Sequence, residues 1–537
     1  MLKILKNLKE SILLVIVIVI LLCIQAAADL NLPDFTSKIV NTGIQQGGIE
    51  YAVPEAIRED QLNDLMYFTD EDEKIQNSYV QMEKTEKNIE KYPELNNQNL
   101  YELKDLNKDE KEELEGIMSR PLMILYQVQD EENAAQIKEK MLQGLDSTSP
   151  QYAFVAQMSV MDIIKSIPES EMNTLLAEIN TQIDSMSNSI LEQAAIQEVK
   201  SEYTAIGMDL DKIQNDYIFM TGLQMLGVAF ISMASAVTIM FLSSRVAAKL
   251  GKTLREKIFK KVLSFSTAEF NQFSTASLIT RSTNDVQQIQ QLITMLFRVV
   301  VYAPIIGIGG ILRVVRTSTT SMAWVIVLAV FSIIAIVLIL FIVAMPKFRK
   351  MQSLIDRLNL VSREILTGLP VIRAFNTQKR EEKRFDEANQ DLMKNSIFVN
   401  KSMSLMMPAM MFVMQSIMIL IIWVGGHSVD QGIMQVGDMM AFLQYTMQIV
   451  MSFLLISVIS IMIPRASVSA KRINEVLDTE PHIKDKPIEE QLKFDENKKG
   501  LIEFKNVSFR YPDADTEILE DIDFTAEPGK TTAIIGS

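Results

Sequence analysis

Six apolar stretches, each 18 to 26 residues long, constrain the fold of this chain more than any other feature. An α-helix of about 20 apolar residues is long enough to cross the hydrocarbon core of a bilayer. A helix also bonds all its backbone groups internally, as the bilayer interior requires. The sequence therefore predicts a membrane protein with six spanning helices. The apolar stretches are Ser11–Ala28, Tyr217–Leu242, Leu292–Leu312, Met322–Ala344, Met403–Gly425 and Met439–Ile463.

Charge is distributed unevenly between the connecting segments. Residues 50–215 carry 35 acidic and 14 basic side chains, whereas the whole chain has a net charge of −15. Ser243–Gln290 and Met345–Lys401 are basic, with eight and twelve Lys or Arg against three and seven acids. Because basic loops are retained in the cytoplasm, we expect 50–215 to be external and the two basic segments to be cytoplasmic. This pattern indicates membrane topology and no nucleic-acid partner.

The first apolar stretch has two interpretations. Three lysines within the first nine residues, an apolar core and Ala26–Ala28 fit a cleavable signal peptide. However, apolar residues continue at helical spacing as far as Val40, which favours a spanning helix that extends beyond the bilayer. The three lysines then place the N-terminus in the cytoplasm.

The acidic segment 50–215 also has two interpretations. Tyr152–Ile167 is apolar, and Glu169–Val199 has apolar residues at helical spacing. These patterns predict a small, mostly helical domain with a modest core, while the high polarity of Glu71–Glu115 also fits a partly disordered loop. Its acids follow no calcium-loop spacing.

The sequence offers no metal centre and no hydrolase triad. The single cysteine, Cys23, excludes an intrachain disulfide. The two histidines, His427 and His482, are far apart and lack a ligand cluster at metal-binding spacing. We expect both to be solvated loop residues.

The C-terminal residues have the pattern of a small sheet. Leu501–Tyr511 alternates apolar and polar residues, and Glu517–Thr525 does so less regularly. After a turn at Pro528-Gly529, Thr531–Ile535 predicts a short buried strand. That strand runs into Gly536-Ser537, which fits the opening of a phosphate-binding loop, although an ordinary turn would have the same residues.

Several stretches together resemble ATP-binding cassette (ABC) transporters of the exporter type. Leu278–Val286 is similar to the segment after the first coupling helix, which falls near Thr267–Ser277. Glu364–Phe375 is similar to the second coupling helix, and Arg465–Asp478 to the end of the sixth helix. The residues from 501 onward resemble the start of the nucleotide-binding domain. Residues 50–215 lie outside this resemblance and look more loosely like the external domain of one subunit in some heterodimeric bacterial multidrug exporters.

The resemblance implies a fold and a domain order. The fold is an α-helical polytopic membrane protein, in which a six-helix exporter domain with long cytoplasmic extensions carries a helical insertion and the first strands of an α/β domain. Residues 1–49 hold the first span, 50–215 the insertion, and 216–477 spans two to six. Residues 478–500 are a linker, and 501–537 begin a nucleotide-binding domain that we expect to be truncated at the phosphate loop.

The resemblance also implies an activity. Two six-span halves pair, a heterodimer being favoured over a homodimer, and ATP with Mg²⁺ drives alternating access and export of small amphipathic compounds, or of a lipid or peptide. Tyr511 would stack on adenine, and Gly536 and Ser537 would approach phosphate, but no catalytic residue falls within the chain. Coupling residues implied by the match are Phe270, Asn271, Gln272, Phe273, Thr367, Gly368 and Leu369.

Polar residues and methionines within the spans are candidates for a substrate cavity. Polar side chains in a span usually face a cavity or another helix, and flexible methionine surfaces suit varied apolar ligands. Packing between helices explains any single methionine equally simply, and Arg298 also fits an interfacial position. The candidates are Gln224, Arg298, Met407, Met411, Met414, Gln415, Gln444 and Gln448.

A different class of protein fits the same residues. A membrane receptor or scaffold, or a catalytically dead half, would use the acidic segment to bind a peptide or an envelope component. A complete phosphate loop and ATPase activity stimulated by a substrate would favour transport over this alternative.

Overall fold

The computed structural model describes residues 2–69, 71–129, 134–135, 138–139, 158–166, 179–181, 183–184, 186–316, 322–481, 483, 499–511 and 515–535. Within these residues, six helices are long and apolar enough to cross a membrane, which confirms the predicted number of spans. In chain order, spans 1 to 6 are Leu8–Gln45, Leu210–Leu263, Thr275–Val315, Ala323–Thr367, Gln378–Asp430 and Val436–Ile456.

Several helices are much longer than the apolar stretches that they contain. The helix of span 4 has 45 residues, which at 1.5 Å per residue far exceeds the ~30 Å of a hydrocarbon core. Among the described residues, the first helix is the four-residue Leu2–Leu5. The longer α-helices are α1 (Ile12–Lys38), α2 (Glu59–Met66), α3 (Asp72–Ser78), α4 (Glu86–Lys91), α5 (Lys108–Gln129), α6 (Val160–Lys165), α7 (Asn188–Ala205), α8 (Leu210–Leu263), α9 (Thr267–Gln272), α10 (Thr275–Thr280), α11 (Val286–Leu296), α12 (Ala303–Arg316), α13 (Ala323–Thr367), α14 (Leu369–Ala374), α15 (Gln378–Asp430) and α16 (Val436–Asp478).

The chain divides into two compact units. The larger comprises 18–239 and 297–459, and the smaller comprises 1–17, 240–296 and 460–537. In the larger unit, buried side chains of spans 1, 3, 4, 5 and 6 form one apolar core. Gly309 and Gly310 of span 3 make this packing close, because an added Cβ would lie 2.5 Å from Leu30 and 2.8 Å from Ile449.

The acidic insertion folds around its own apolar core, within the same larger unit. Helices α5 and α7 pack together, which confirms the predicted helical character. The insertion also contains a three-stranded antiparallel sheet of order β1-β3-β2, formed by β1 (Ala56–Arg58), β2 (Tyr79–Gln81) and β3 (Leu100–Leu103). Strands of three or four residues are too short to show a two-residue period, so the sequence did not predict them. Of the two stretches that predicted this domain, residues 152–157 and 167 and most of 169–187 lie outside the described residues.

The smaller unit contains α9, α10 and α11 and an antiparallel pair of strands, β4 (Ile502–Phe509) and β5 (Leu519–Ala526). Gly529 has a φ of +75°, as the predicted turn at Pro528-Gly529 requires. The prediction of a buried strand at Thr531–Ile535 was wrong: these residues are exposed and form no strand. A strand needs a paired neighbour, and none of the described residues pairs with them.

Candidate functional site

Two of the predicted cavity residues tie span 6 to span 1. Gln444 donates from Nε2 to Thr36 Oγ1 at 3.2 Å. One turn further, Gln448 donates from Nε2 to the backbone carbonyl of Asp29 at 3.0 Å. Side-chain amides placed in this way join helices where water is absent.

The other predicted cavity residues lie apart from this junction. Met414 is half-buried and packs beside Ile333, Met410 and Val450. The remaining five are exposed on the chain considered by itself: Gln224, Arg298, Met407, Met411 and Gln415. The structure thus brings together only the two span 6 glutamines, and a cavity role for the set stays a prediction.

Asp29 is the centre of the junction, although the sequence interpretation did not select it. Ser232 of span 2 donates to Asp29 Oδ1 at 2.5 Å, and the Tyr302 hydroxyl of span 3 donates to Oδ2. Gln25 makes a longer contact with Oδ2, at 3.5 Å. One carboxylate therefore joins three helices through neutral donors.

A second junction lies five residues along span 1. Arg313 donates from Nη1 to Asp34 Oδ2 at 2.7 Å and also binds Asn31 Oδ1. The Tyr445 hydroxyl binds the other oxygen of Asp34. A small cavity of about 190 Å³ adjoins Asp34 and Tyr445. The apolar stretch ends at Leu312, but α12 continues to Arg316 and so places Arg313 on the helix.

A third polar contact lies where span 6 begins. Asp438 accepts from Ser37 Oγ at 2.7 Å and from Asn41 Nδ2 at 3.1 Å. The backbone N–H of Gly437 donates to Asn41 Oδ1 at 2.6 Å. A side chain at Gly437 would collide with Asn41, so this approach of spans 1 and 6 requires glycine.

The predicted first coupling segment is two short helices, α9 and α10. Ser266 and Glu269 cap α9 reciprocally: the Ser266 N–H donates to Glu269 at 2.7 Å. Phe273 follows α9 and stacks on Phe265 with ring centroids 6.1 Å apart. Of the predicted residues, Phe270 is 39% exposed, and Asn271 and Gln272 are also exposed, so they are available to a partner surface.

The predicted second coupling segment ends one helix and begins another. Gly368 donates its N–H to the Glu364 carbonyl at 2.8 Å and so closes α13 after Thr367. It then accepts from Ile372 N–H at 3.0 Å in the first turn of α14. Leu369 borders a shallow, largely apolar cavity of about 440 Å³ beside α14.

The predicted nucleotide contacts are only partly described. Tyr511 is 54% exposed, and its ring and that of Phe509 meet at nearly a right angle with centroids 5.0 Å apart. Gly536 and Ser537 lie outside the described residues. Among the described residues no group of three or more potential ligands could hold a metal ion.

A separate buried cluster lies in the acidic insertion. Arg58 contacts Glu202 through Nη2 at 2.7 Å, and its backbone N–H binds the same carboxylate. Glu198, one turn earlier on α7, accepts from Gln61 at 2.5 Å and is 3% exposed. Burial, reinforced by the Glu202 charge, raises the pKa of Glu198 to about 7.

Comparison with known proteins agrees with this architecture. Residues 186–453 match the family described as the ABC transporter transmembrane region. An uncharacterized ABC transporter ATP-binding protein of Mycobacterium bovis is 38% identical over 316 residues, covering 59% of this chain and 54% of the relative.

Two further relatives come from Bacillus subtilis and Aromatoleum aromaticum. The ABC transporter ATP-binding protein YfiB of Bacillus subtilis is 33% identical over 321 residues, covering 60% of this chain and 55% of YfiB. An ATP-dependent lipid A-core flippase of Aromatoleum aromaticum is 26% identical over 297 residues, covering 55% of this chain and 47% of the flippase. The chain spans about half the length of the curated relatives it matches.

Proposed function

Because this chain belongs to the ABC transporters, with a membrane domain of the exporter type, we propose that it is one half of an ATP-driven exporter. The observation that carries the proposal is the match of 186–453 to an ABC transmembrane region, followed in sequence by the strand pair β4–β5 with Tyr511 between its strands. The acidic insertion then lies outside the cell, with both basic connections and Tyr511 in the cytoplasm.

The mechanism follows from differential binding. ATP shifts the equilibrium between inward- and outward-facing states only if it binds one state more tightly. Tyr511 presents an exposed ring that fits adenine stacking. The helices α9 and α14 would transmit domain closure to the spans, since each interrupts long helices at a predicted coupling segment.

The proposed substrate is a small amphipathic molecule. Met407 and Met411 expose flexible apolar side chains on span 5, at 61% and 54%. Such surfaces adapt to ligands of different shape. A lipid is the second candidate within this class, supported by the relative named as a lipid A-core flippase. The second half would be a different chain.

The test uses the full-length gene product together with candidate partner halves in proteoliposomes. We expect ATPase activity that the dye Hoechst 33342 stimulates, and ATP-dependent movement of that dye. Tyr511→Ala should raise the KM for ATP roughly tenfold, about 1.4 kcal/mol of binding energy, while Tyr511→Phe keeps the stacking ring and serves as the control. A complete wild-type complex without ATPase activity would contradict the proposal.

One observation favours a binding role for the insertion as well. A cavity of about 390 Å³ is lined by residues that include Glu50, Glu55, Lys91 and Lys111, with apolar side chains between them. Charges of both signs suit a peptide or a zwitterion. A receptor or scaffold would bind such a ligand without any change in ATPase activity, which the same proteoliposomes can measure.

A further inference from the structure

Four charged side chains in the smaller unit connect two helical stretches that are almost 200 residues apart in sequence. Arg281 Nη1 lies 3.0 Å from Glu475 Oε2. Arg472 Nη1 lies 3.5 Å from Asp285 Oδ2. Each stretch therefore contributes one cation and one anion, and the two ion pairs lie side by side.

Both members from the first stretch are buried. Arg281 is 9% exposed and Asp285 is 6% exposed. Arg281 donates from Nη1 to the Arg472 carbonyl at 2.6 Å, and Ser469 donates to Asp285 Oδ1 at 2.9 Å. A buried charge is costly without a partner. Removal of Arg281 would take this donor from the Arg472 carbonyl and from Glu475, and removal of Asp285 would take this acceptor from Ser469 and Arg472.

The backbone at this point is one of three π-helical segments among the described residues. Residues Arg281–Asp285 form a π-helical turn between α10 and α11. Such turns are rare and often mark functional positions, because they are less favourable than a continuous α-helix. Here the turn begins and ends at the two buried charged residues of the network.

Arg281 also touches the segment that contains the first predicted coupling helix. Its guanidinium lies 4.8 Å from the centroid of the Phe273 ring, within the range of a cation–π contact. Its Nε donates to Ser277 Oγ at 3.2 Å. One side chain thus contacts the residues that follow α9 and also the last turns of α16, which end at Asp478 before the chain reaches β4.

We propose that Arg281 is a positioning residue, which holds the α9–α10 segment and residues 469–475 of α16 together as one lever throughout the transport cycle. This inference rests on the proposed function. Movement of the nucleotide-binding domain would reach α9 by two routes, its own surface and the end of α16. Arg281 keeps the two routes in step, with Asp285, Arg472 and Glu475 as its support.

The first experiment measures coupling in the full-length transporter with its partner in proteoliposomes, with Hoechst 33342 as the probe. Arg281→Ala should reduce dye-stimulated ATPase activity and dye transport at least about fivefold, the lower range of typical couplings, while basal ATPase stays within about twofold of wild type. Arg281→Lys retains the charge but loses the guanidinium that reaches the Arg472 carbonyl. Its stimulated ATPase activity should lie between those of wild type and Arg281→Ala. The matched control is Arg357→Ala, which removes an exposed ion pair with Asp391 at 3.1 Å and should have no effect.

The second experiment tests whether the contact stays closed. Cys23, the one cysteine in this sequence, and any cysteine elsewhere in the full-length protein are first replaced by serine. In that background Asp285→Cys and Ser469→Cys are combined, since these side chains lie in contact. Oxidation should form a disulfide bond between the two cysteines and so join the two segments. The oxidised protein should transport at about the rate of the background protein, and reduction should lower its coupling as Arg281→Ala does.

The outcomes separate the inference from the proposed function. Failure of the cysteines to cross-link, or loss of transport on cross-linking, would overturn the lever, because the segments would then be apart or would have to separate. Normal stimulation in a stably expressed Arg281→Ala protein would overturn it as well. If the wild-type complex neither hydrolyses ATP nor moves dye, the proposed function fails, whereas cross-linking yield still reports on the contact.

Discussion

Two carboxylates of this chain, one buried and one half-buried, are stabilised in opposite ways. Glu202, in the acidic insertion, is 2% exposed and pairs with the guanidinium of Arg58. Asp29, in span 1, is held by the hydroxyl groups of Ser232 and Tyr302. At Glu202 a cation faces the carboxylate, whereas at Asp29 the carboxylate accepts from the neutral donors named above.

The difference indicates how well each carboxylate can tolerate the loss of a partner. An ion pair between side chains of a water-exposed domain costs desolvation but can be replaced by water when it opens. Between membrane helices the alternative to a hydrogen bond is hydrocarbon, so hydroxyl and amide donors from several helices are the usual partners. We expect the insertion to depend strongly on Arg58, and the junction at Asp29 to depend weakly on each of its donors.

The largest expected effect is that of Arg58→Ala. It would leave Glu202 and Glu198 buried one turn apart without their shared cation, and the Arg58 pKa, raised by its bond to Glu202, shows how closely the two are linked. Breaking such a pair costs about 3–5 kcal/mol. Hydrogen exchange of α5 and α7, measured in the whole chain in detergent, should show this loss of protection.

A surface ion pair in the same domain is the matched control. Arg120 Nη2 lies 2.6 Å from Asp184, and their side chains are 45% and 60% exposed. Arg120→Ala should change protection by less than about 1 kcal/mol. If the two arginine variants had equal effects, the contrast between buried and exposed pairs in the insertion would be wrong.

The second-largest expected effect is a dependence of folding stability on pH, which Glu198 causes. Its pKa is raised to about 7 from the ordinary value of 4.5, because the side chain is buried beside Glu202. The folded state therefore binds a proton that the unfolded state releases, so stability falls as pH rises from about 4.5 through 7. At full ionisation the penalty is of order 3 kcal/mol.

Glu198→Gln should remove this pH dependence. The amide carries no charge and can still accept the hydrogen bond that Gln61 donates. The variant should be more stable than wild type at pH 8 and equal to it at pH 5, as measured by thermal unfolding of the purified chain. An unchanged pH profile would show that Glu198 is not the titrating group.

The two regions also differ in how far sequence could predict them. Span number followed from hydrophobic length, which is set by the bilayer alone. Asp29 and Asp34 were missed because the apolar run ends at Ala28, although helical spacing beyond it showed that α1 continues past both acids. Ser232, Tyr302 and their contacts could not be predicted, since they depend on how separate helices pack.

The same limit applies to the insertion and the coupling segments. A helical period predicted the helical character of the insertion, but pairing of Arg58 with Glu202 spans 144 residues and has no local signal. The pattern of Thr531–Ile535 predicts a strand, yet a strand exists only where a neighbour pairs with it. The coupling and nucleotide roles stay predictions that rest on resemblance.

The third effect is that of Asp29→Ala. Removing the carboxylate leaves the Ser232 and Tyr302 hydroxyl groups without their acceptor between the spans. The expected loss is about 1–2 kcal/mol, the upper range for polar contacts between membrane helices. Unfolding in mixed detergent micelles measures it, with the exposed Cys23→Ala of the same helix as a control that should stay within about 0.5 kcal/mol.

The smallest effect is that of Ser232→Ala, and it decides whether the donors around Asp29 act separately. If each donor contributes independently, the loss is about 0.6 kcal/mol, since Tyr302 still serves the carboxylate. Thr238→Ala is the control on the same helix, because the Thr238 hydroxyl bonds only the Ala234 carbonyl of its own turn, at 2.8 Å. Combined with Tyr302→Phe, the two losses should add to within about 0.5 kcal/mol. A combined loss well above their sum would show that the donors act together, so that Asp29 tolerates the loss of one partner but not of both.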